Sequence, residues 1–214
     1  MPHYDYESDT RAFSQVLFDI GQKRDPKLYL GELIDAFGER GIGAMMLFLG
    51  LLSAVIGAVP GTTTIIGIPM LLVCVQLVLR RDQLWLPRRA LASAVERDAF
   101  RTSVAKVMKP LRWVERASRP RLLLLSSPLA EILIGAAASV MCVILILPLW
   151  GANLFPSLAV AAFGFGLMQR DGLVIIAGWV IATGFSLFLW LAWEVVSRLA
   201  LSSWEWVQQT VGLG

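Results

Sequence analysis

The chain has 214 residues, of which 57% are hydrophobic and 16% are charged, with a formal net charge of +3. Soluble domains usually carry about a quarter charged residues, so this composition is typical of a membrane protein. The single histidine is His3, and the two cysteines, Cys74 and Cys142, lie within apolar runs. A zinc site or a histidine-dependent triad therefore lacks its residues, and we predict no metal, no cofactor and no enzymatic activity.

Residues 1–41 hold the first apolar pattern at helical spacing. The apolar positions of this segment are Phe13, Val16, Leu17 and Ile20, followed by Leu30, Leu33, Ile34 and Phe37. They predict two amphipathic helices, split near Asp25-Pro26, on the cytoplasmic side. These helices either pack on the rest of the protein or lie on the membrane surface.

Residues 42–82 form the first predicted membrane hairpin. Residues 42–79 carry no charge, and Pro60 and Gly61 interrupt them near the middle. The run is too long for one crossing and Pro breaks a helix, so we predict two short arms joined by a non-helical tip. The tip is either re-entrant, at mid-depth in the bilayer, or an ordinary turn at the far surface.

Residues 131–171 form a second predicted hairpin with the same layout. Residues 132–169 are uncharged, and the stretch from Pro148 to Pro156 interrupts them. The charges at the hairpin edges correspond as well, and they are Glu39, Arg81 and Asp82 in the first hairpin and Glu131, Arg170 and Asp171 in the second. These matches predict an internal repeat, and duplicated units with interrupted helices are a recurring layout of transporters.

Residues 83–130 link the two hairpins. Most of this linker belongs to residues 80–121, which are the charge centre of the chain. Residues 80–121 hold twelve Lys or Arg and four acidic residues, a net of +8. Such an excess between membrane hairpins indicates a cytoplasmic loop, which is compatible with contact to anionic lipids; we predict no nucleic-acid partner. An amphipathic helix is predicted here from Phe100, Val104, Val107, Leu111 and Val114, ending at Ser118-Arg119-Pro120.

Residues 172–196 are predicted to form a full transmembrane helix, because Gly172 to Trp193 is uncharged. Residues 197–214 are predicted to form an interfacial tail, with tryptophans on both sides of the boundary as an aromatic belt. Since each hairpin returns to its own side, the C-terminus is expected outside the cytoplasm. Small residues along the hairpin arms favour a homodimer, because helices in lipid pack through small residues.

Three groups of residues resemble the signature of the ExoD family. They are Pro60 to Val73 with Gln76-Leu77, Arg81 and Trp85-Leu86-Pro87; Ser118-Arg119-Pro120-Arg121; and Pro148 to Pro156 followed by Arg170-Asp171-Gly172. The match spans residues 28–195, with one departure: Ala152 separates Gly151 from Asn153, which are adjacent in the family pattern. The resemblance implies a bacterial inner-membrane protein linked to exopolysaccharide production, and it supplies no reaction.

These features predict an all-α integral membrane protein with two repeated, broken or re-entrant hairpins and a C-terminal transmembrane helix. A small transporter or permease is the favoured function, and a non-catalytic partner of the exopolysaccharide assembly or export machinery is the alternative. A membrane enzyme acting on a lipid-linked sugar is the least favoured class.

The substrate site is predicted at the paired hairpin tips. Its residues are Pro60, Gly61, Thr62, Thr63, Thr64, Pro69, Gln76, Gly151, Asn153 and Pro156. The second arm of each hairpin aims a helix N-terminus at this region, so the expected ligand is an anion or a polyhydroxylated solute. The alternative is that the threonines and Asn153 only cap the arms.

Overall fold

The computed structural model describes residues 12–29, 31–32, 36, 41–56, 62–81, 94–147 and 153–211, and nearly all of them are helical. The helices are α1 (Phe13–Gln22), α2 (Gly41–Ile56), α3 (Thr62–Val78), α4 (Arg97–Ala117), α5 (Pro128–Ile146), α6 (Leu154–Gln169) and α7 (Gly172–Val211). A short 3-10 turn, Leu123–Ser126, precedes α5. The predicted helical class is confirmed, with one addition: the strands β1 (Lys27–Tyr29) and β2 (Ala94–Glu96) pair antiparallel.

The N-terminal helix and the linker helix pack together through their apolar faces. All four apolar positions predicted for α1 are buried, and so are Phe100, Val104 and Leu111 of α4. Helix α1 ends at Gln22 and β1 follows, whereas the apolar residues of the second predicted helix, Leu30, Leu33, Ile34 and Phe37, lie outside the described residues. The ring of Phe100 also lies 5.8 Å from that of Phe48, which attaches the pair to α2. These amphipathic helices therefore pack on the rest of the protein.

Four helices from the two hairpins form the core, and they pair between hairpins. Helix α2 packs on α6, and α3 packs on α5. Both pairs are antiparallel: a Cβ on Gly43 would face Gly164 and Met168, whereas one on Gly50 would face Ser157 and Ala161. A Cβ on Gly164 would come within 2.5 Å of the Gly43 carbonyl oxygen, so only glycine allows this approach. The ends of α2 and α5 and the starts of α3 and α6 consequently share one end of the bundle, which we call the tip end.

Apolar surface is distributed unevenly around this bundle. Six consecutive residues of α2, from Ala44 to Leu49, are buried, so α2 is enclosed on all sides. By contrast, α3, α5 and α7 expose large apolar side chains; examples are Ile65, Leu133, Val140, Val180, Phe188 and Trp193. Exposed apolar surface on this scale is unusual for a soluble monomer and marks contact with a membrane or a partner.

Two helices are long and apolar enough to cross a membrane, namely Pro128–Ile146 and Gly172–Leu199. Only 33% and 28% of their most apolar windows are buried, whereas the core helix of a soluble protein is mostly buried. Three shorter apolar helical segments accompany them: Ile42–Val55, Thr64–Val78 and Leu154–Gln169. The chain thus carries the helices that membrane association requires.

The second arm of each hairpin begins earlier than the sequence indicated. Helix α3 already includes Thr62, Thr63 and Thr64, which were assigned to a non-helical tip. Helix α6 begins at Leu154, so Pro156 occupies its first turn, where the backbone N–H has no intrahelical partner and proline is tolerated. Residues 57–61 and 148–152, which include Pro60, Gly61 and Gly151, lie outside the described residues.

The last helix is longer than the predicted transmembrane segment. Helix α7 continues from Gly172 to Val211, so no helix end marks the boundary predicted at residues 196–197. Trp190 and Trp193 are exposed on it, as an aromatic belt requires. In the first hairpin, α2 begins at Gly41.

Candidate functional site

Hydroxyl groups connect the helices at the tip end. Thr64 Oγ1 donates a hydrogen bond of 3.2 Å to the carbonyl oxygen of Ile146, which joins the start of α3 to the end of α5. Ser157 Oγ lies 2.9 Å from Ser53 Oγ, which joins the start of α6 to the end of α2. Both serines are fully buried. In the part of the tips that the structure describes, each pair of helices that crosses between the hairpins is therefore joined by a polar contact.

The structure brings only part of the predicted substrate site to the tip end. Thr64 and Pro156 lie there, and the carbonyl oxygen of Asn153 accepts a 2.7 Å hydrogen bond from Ser157 Oγ. The side chain of Asn153 makes no capping bond to α6, so it does not act as the predicted cap. Thr62 and Thr63 are in the first turn of α3, and their side chains lie outside the described residues.

Two predicted site residues lie away from the tips. Pro69 is inside α3, and Gln76 is close to its other end, about 21 Å along the helix from Thr62. The side chain of Gln76 donates a 2.9 Å bond to the carbonyl oxygen of Leu72, one turn earlier. Ser53 and Ser157, in contrast, were not predicted as site residues. The sequence distinguishes them only as hydroxyl residues within the uncharged runs, close to the proline-containing interruption of each hairpin.

At the opposite end of the bundle, α3 and α6 stop with the same backbone motif. Arg80 and Arg170 both adopt left-handed conformations, with φ of 50° and 52°. The following N–H groups, of Arg81 and Asp171, donate to the carbonyl oxygens of Gln76 and Gly166. These bonds satisfy carbonyl groups that a helix end leaves free, which is the usual function of this motif.

Among the described residues at this end, the carboxylate of Asp171 is the most highly bonded acidic group. It accepts hydrogen bonds from Ser118 Oγ (2.9 Å), the Arg119 N–H (3.1 Å) and the Leu173 N–H (3.0 Å). Only 2% of Asp171 is exposed. The bond to Leu173 caps the first turn of α7, and the other two hold the segment that follows α4. We call residues 118–121 together with 170–172 the Asp171 corner.

Backbone contacts complete the Asp171 corner. The Gly172 N–H donates to the carbonyl oxygen of Arg121 at 2.9 Å, and the Arg121 N–H donates to that of Arg170 at 3.3 Å. A Cβ at Gly172 would lie 2.6 Å from the Cβ of Leu122, so the close crossing requires glycine there. Leu122 itself adopts a left-handed conformation, with φ of 52°.

The environment of Asp171 keeps its carboxyl group ionised. Burial alone raises the pKa, but the hydrogen bonds from Arg119, Ser118 and Leu173, together with the charge of Arg121, outweigh it and lower the pKa. A carboxyl group with a lowered pKa and occupied oxygens is a structural anion and does not exchange protons near neutral pH. Among the residues that the structure describes, no group of three His, Cys, Asp or Glu side chains could hold a metal ion.

Residues 13–191 match a protein family described as "Exopolysaccharide synthesis, ExoD". The chain belongs to the ExoD family. It is 31% identical over 170 residues to an uncharacterized protein, slr1875, of Synechocystis sp., covering 78% of this chain and 80% of that protein. It is 27% identical over 180 residues to Protein ExoD of Rhizobium meliloti, covering 82% of this chain and 75% of that protein. No solved structure matches it.

The predicted resemblance is thus confirmed, and the structure places two of the ExoD-family motifs together. Ser118-Arg119-Pro120-Arg121 and Arg170-Asp171-Gly172 form the Asp171 corner, although about fifty residues separate them in the chain. Their contacts are mainly with each other, so these motifs maintain the connection between the linker and α7. Of the other edge charges, Arg81 is exposed and Glu131 is half-buried in the first turn of α5, whereas Glu39 and Asp82 lie outside the described residues.

Arg97 is a second buried charge of this ExoD-family chain, and sequence analysis missed it. It is 1% exposed and donates to the carbonyl oxygens of Ile20, Asp25 and Lys27 and to the Glu32 carboxylate. Burial raises the pKa of Glu32, but bonds from Lys23 and Arg97 outweigh this and lower the pKa. Arg97 therefore holds the N-terminal segment on α4. In the sequence it is one of twelve basic residues in the charge centre, with nothing to distinguish it.

Proposed function

We propose that this ExoD-family protein is a small transporter or permease of the bacterial inner membrane, with its solute site at the tip end. The observation that carries the proposal is the shared position of two helix starts. Helices α3 and α6 both begin at the tip end, so the positive ends of two helix dipoles are directed to one region. In transporters with interrupted helices, such paired helix starts bind anionic groups of the substrate.

The hairpins are proposed to be an internal repeat, which their contacts support. In such a repeat α2 corresponds to α5, as first arms, and α3 corresponds to α6, as second arms. The α2–α6 contact therefore corresponds to the α5–α3 contact. A Cβ on Gly43 of α2 would meet the Gly164 oxygen and the Met168 nitrogen, whereas one on Gly135 of α5 would meet the Cys74 oxygen and the Val78 nitrogen. Both glycines therefore face an oxygen and the nitrogen four residues later on the partner helix.

The helix ends support the same repeat with a small change of register. The common terminal motif pairs Arg80 with Arg170 and Arg81 with Asp171. This differs by one residue from the pairing inferred from the charges alone, which aligned Arg81 with Arg170. Because neighbouring helices of the two hairpins are antiparallel, the first arms run in the same direction, and the repeat is parallel.

Membrane embedding is supported by the apolar surface of α3, α5 and α7 and by the basic linker. The positive-inside rule puts residues 80–121 in the cytoplasm, and the hairpin tips are then directed to the periplasmic side, either re-entrant or at the surface. Gly43, Gly50 and Gly135 are used between the hairpins, so a homodimer would need a different face and stays a prediction.

The expected solute is an anion or a polyhydroxylated compound. Uncompensated N–H groups at helix starts bind oxygen atoms, and hydroxyl side chains add donors and acceptors without a fixed charge. Thr63 and Asn153, at the starts of α3 and α6, are the proposed ligands. No coupling ion is proposed, because residues 42–79 and 132–169, which form the membrane arms, contain no charged side chain that could bind one.

A non-catalytic role in exopolysaccharide assembly or export is the second candidate, and one observation favours it. Helices α2 and α6 touch through their backbones at Gly164, as do α3 and α5 at Gly135. Interfaces this close resist separation, which suits a rigid membrane scaffold better than a protein that opens. The name Protein ExoD, carried by the Rhizobium meliloti relative, agrees equally with both candidates.

Solute flux into vesicles tests the transport proposal. Purified protein in liposomes is expected to pass small organic anions or sugars, and Thr63→Val with Asn153→Ala is expected to reduce the flux at least tenfold. This estimate follows from the loss of hydrogen bonds to charged or polar solute groups, each contributing about 1.5 kcal/mol or more. Thr183→Val is the matched control, because the Thr183 hydroxyl bonds only within α7.

The outcomes separate the two candidates. Full flux in the double variant would move the site away from the tips. Wild-type protein that is folded and inserted but passes none of the tested solutes would favour the non-catalytic role. That role predicts instead that the protein copurifies with other components of the polysaccharide machinery.

A further inference from the structure

The outward face of α4 is basic and includes no acidic side chain between residues 99 and 114. Its exposed cationic side chains are those of Lys106, Lys109, Arg112 and Arg116, opposite the buried Phe100, Val104 and Leu111. Trp113 lies among them and is 72% exposed. The nearest acid, Glu115, is bonded through its carboxylate to Ser14 of α1. We call Lys106, Lys109, Arg112, Trp113 and Arg116 the α4 basic face.

The Asp171 corner fixes the position of the α4 basic face relative to the membrane helices. Helix α4 ends at Ala117, and the next two residues are bonded to Asp171, directly before α7. The chain then passes through the 3-10 turn into α5. Both α5 and the first part of α7 are long and apolar enough to cross a membrane. The C-terminal end of α4 therefore lies at the level where both of these helices begin.

Apolar side chains are exposed at this same level. Leu124 is 82% exposed in the 3-10 turn, and Leu129 is 75% exposed in the first turn of α5. Exposed leucines, an exposed tryptophan and a row of basic side chains at one end of the membrane helices form the combination that the boundary between lipid tails and headgroups accommodates. The tryptophan ring occupies the boundary, the leucines enter the tails, and the basic groups reach the phosphates.

We propose that the α4 basic face binds the phosphate groups of anionic phospholipids at the cytoplasmic surface of the membrane. The exposed cations match the surface potential of an anionic leaflet, which attracts basic residues near the membrane. The interaction holds the C-terminal end of the linker helix at the headgroups, where the Asp171 corner ties it to α7. This inference rests on the proposed membrane embedding and is independent of transport.

The fluorescence of Trp113 gives the direct test. The full-length protein is reconstituted into phosphatidylcholine vesicles that contain headgroup spin-labelled phosphatidylglycerol or headgroup spin-labelled phosphatidylcholine. The signal of Trp113 is taken as the difference between the parent protein and Trp113→Phe, since the chain has eight tryptophans. We expect the phosphatidylglycerol label to quench this signal more strongly, and the preference to weaken as the salt concentration rises.

Charge removal identifies the residues responsible. Lys109→Gln, Arg112→Gln and Arg116→Gln together are expected to reduce the preference for phosphatidylglycerol at least tenfold, since each basic residue near an anionic surface contributes roughly fivefold. The matched control removes the same charge elsewhere, through Arg24→Gln, Lys27→Gln and Arg198→Gln, which are exposed positions outside this face. The control is expected to retain the preference.

Three results would overturn the inference. In the first, the two lipids quench Trp113 equally in protein that remains embedded after an alkaline wash. In the second, the control variant loses the preference as fully as the variant of the face. In the third, an acidic polysaccharide added to phosphatidylcholine vesicles protects Trp113 from aqueous iodide while phosphatidylglycerol does not, which would assign the face to a polysaccharide. Release of the whole protein by the alkaline wash would contradict the membrane embedding itself.

Discussion

Gly164→Val is expected to disrupt the hairpin bundle, with a loss of about 3 kcal/mol in the free energy of unfolding. A Cβ at this position would lie 2.5 Å from both the Gly43 oxygen and the Leu47 nitrogen. Both contacts are with backbone atoms, which cannot move by a change of rotamer, so α2 and α6 must separate. Thermal unfolding of the detergent-purified protein measures the loss.

Gly184→Ala is the matched control for this substitution. Gly184 also lies within a helix, α7, but a Cβ there would meet nothing within 4 Å. Alanine favours a helix over glycine by up to about 1 kcal/mol, so this variant should be as stable as the parent or slightly more stable. If Gly164→Val were as stable to thermal unfolding as Gly184→Ala, the result would contradict the close α2–α6 contact.

Asp171→Asn is expected to destabilise the protein by about 2 kcal/mol at neutral pH, because three donors lose a charged acceptor. The effect should depend on pH. The folded state lowers the pKa of Asp171. Its stabilising contribution is therefore present above the unfolded pKa, about 3.9, and is lost as the pH falls through the lower, folded pKa. Parent and variant should differ at neutral pH and converge in strong acid.

The control for Asp171→Asn is Glu194→Gln. Glu194 forms an exposed ion pair with Arg198 one turn away on α7, and exposed pairs of this kind contribute little. Unfolding curves from neutral to acidic pH should show a small, nearly constant difference for this variant. A difference for Asp171→Asn that persists unchanged into strong acid would show that its hydrogen bonds do not require the ionised carboxylate.

The helical elements were readable from the sequence because the signals are local. Amphipathic spacing identified α1 and α4, and long uncharged runs with central prolines identified the hairpin arms. The starts of α3 and α6 were placed too late, because Thr62 to Thr64 and Pro156 read as helix breakers. In the first turn of a helix the backbone N–H groups have no helical partners, so these residues fit there.

Contacts between distant segments were not readable in the same way. The β1–β2 pair joins two three-residue strands about seventy residues apart, which is too short for an alternating pattern to be recognised. The pairing of α2 with α6 and of α3 with α5 depends on which glycines face each other, and both hairpins supply several. Asp171 was identified only as an edge charge, since its donors Ser118 and Arg119 come from a separate part of the chain.

The central claim is that the bundle crosses a membrane with α4 on the cytoplasmic side and the far end of α7 on the other side. Labelling of single cysteines with a membrane-impermeant maleimide tests it most directly. Lys106→Cys and Ser203→Cys, each made with Cys74→Ala and Cys142→Ala, provide exposed sites on α4 and α7. In intact spheroplasts, the account predicts labelling at position 203 and none at position 106 until the membrane is opened. Labelling of both positions from the same side would contradict it.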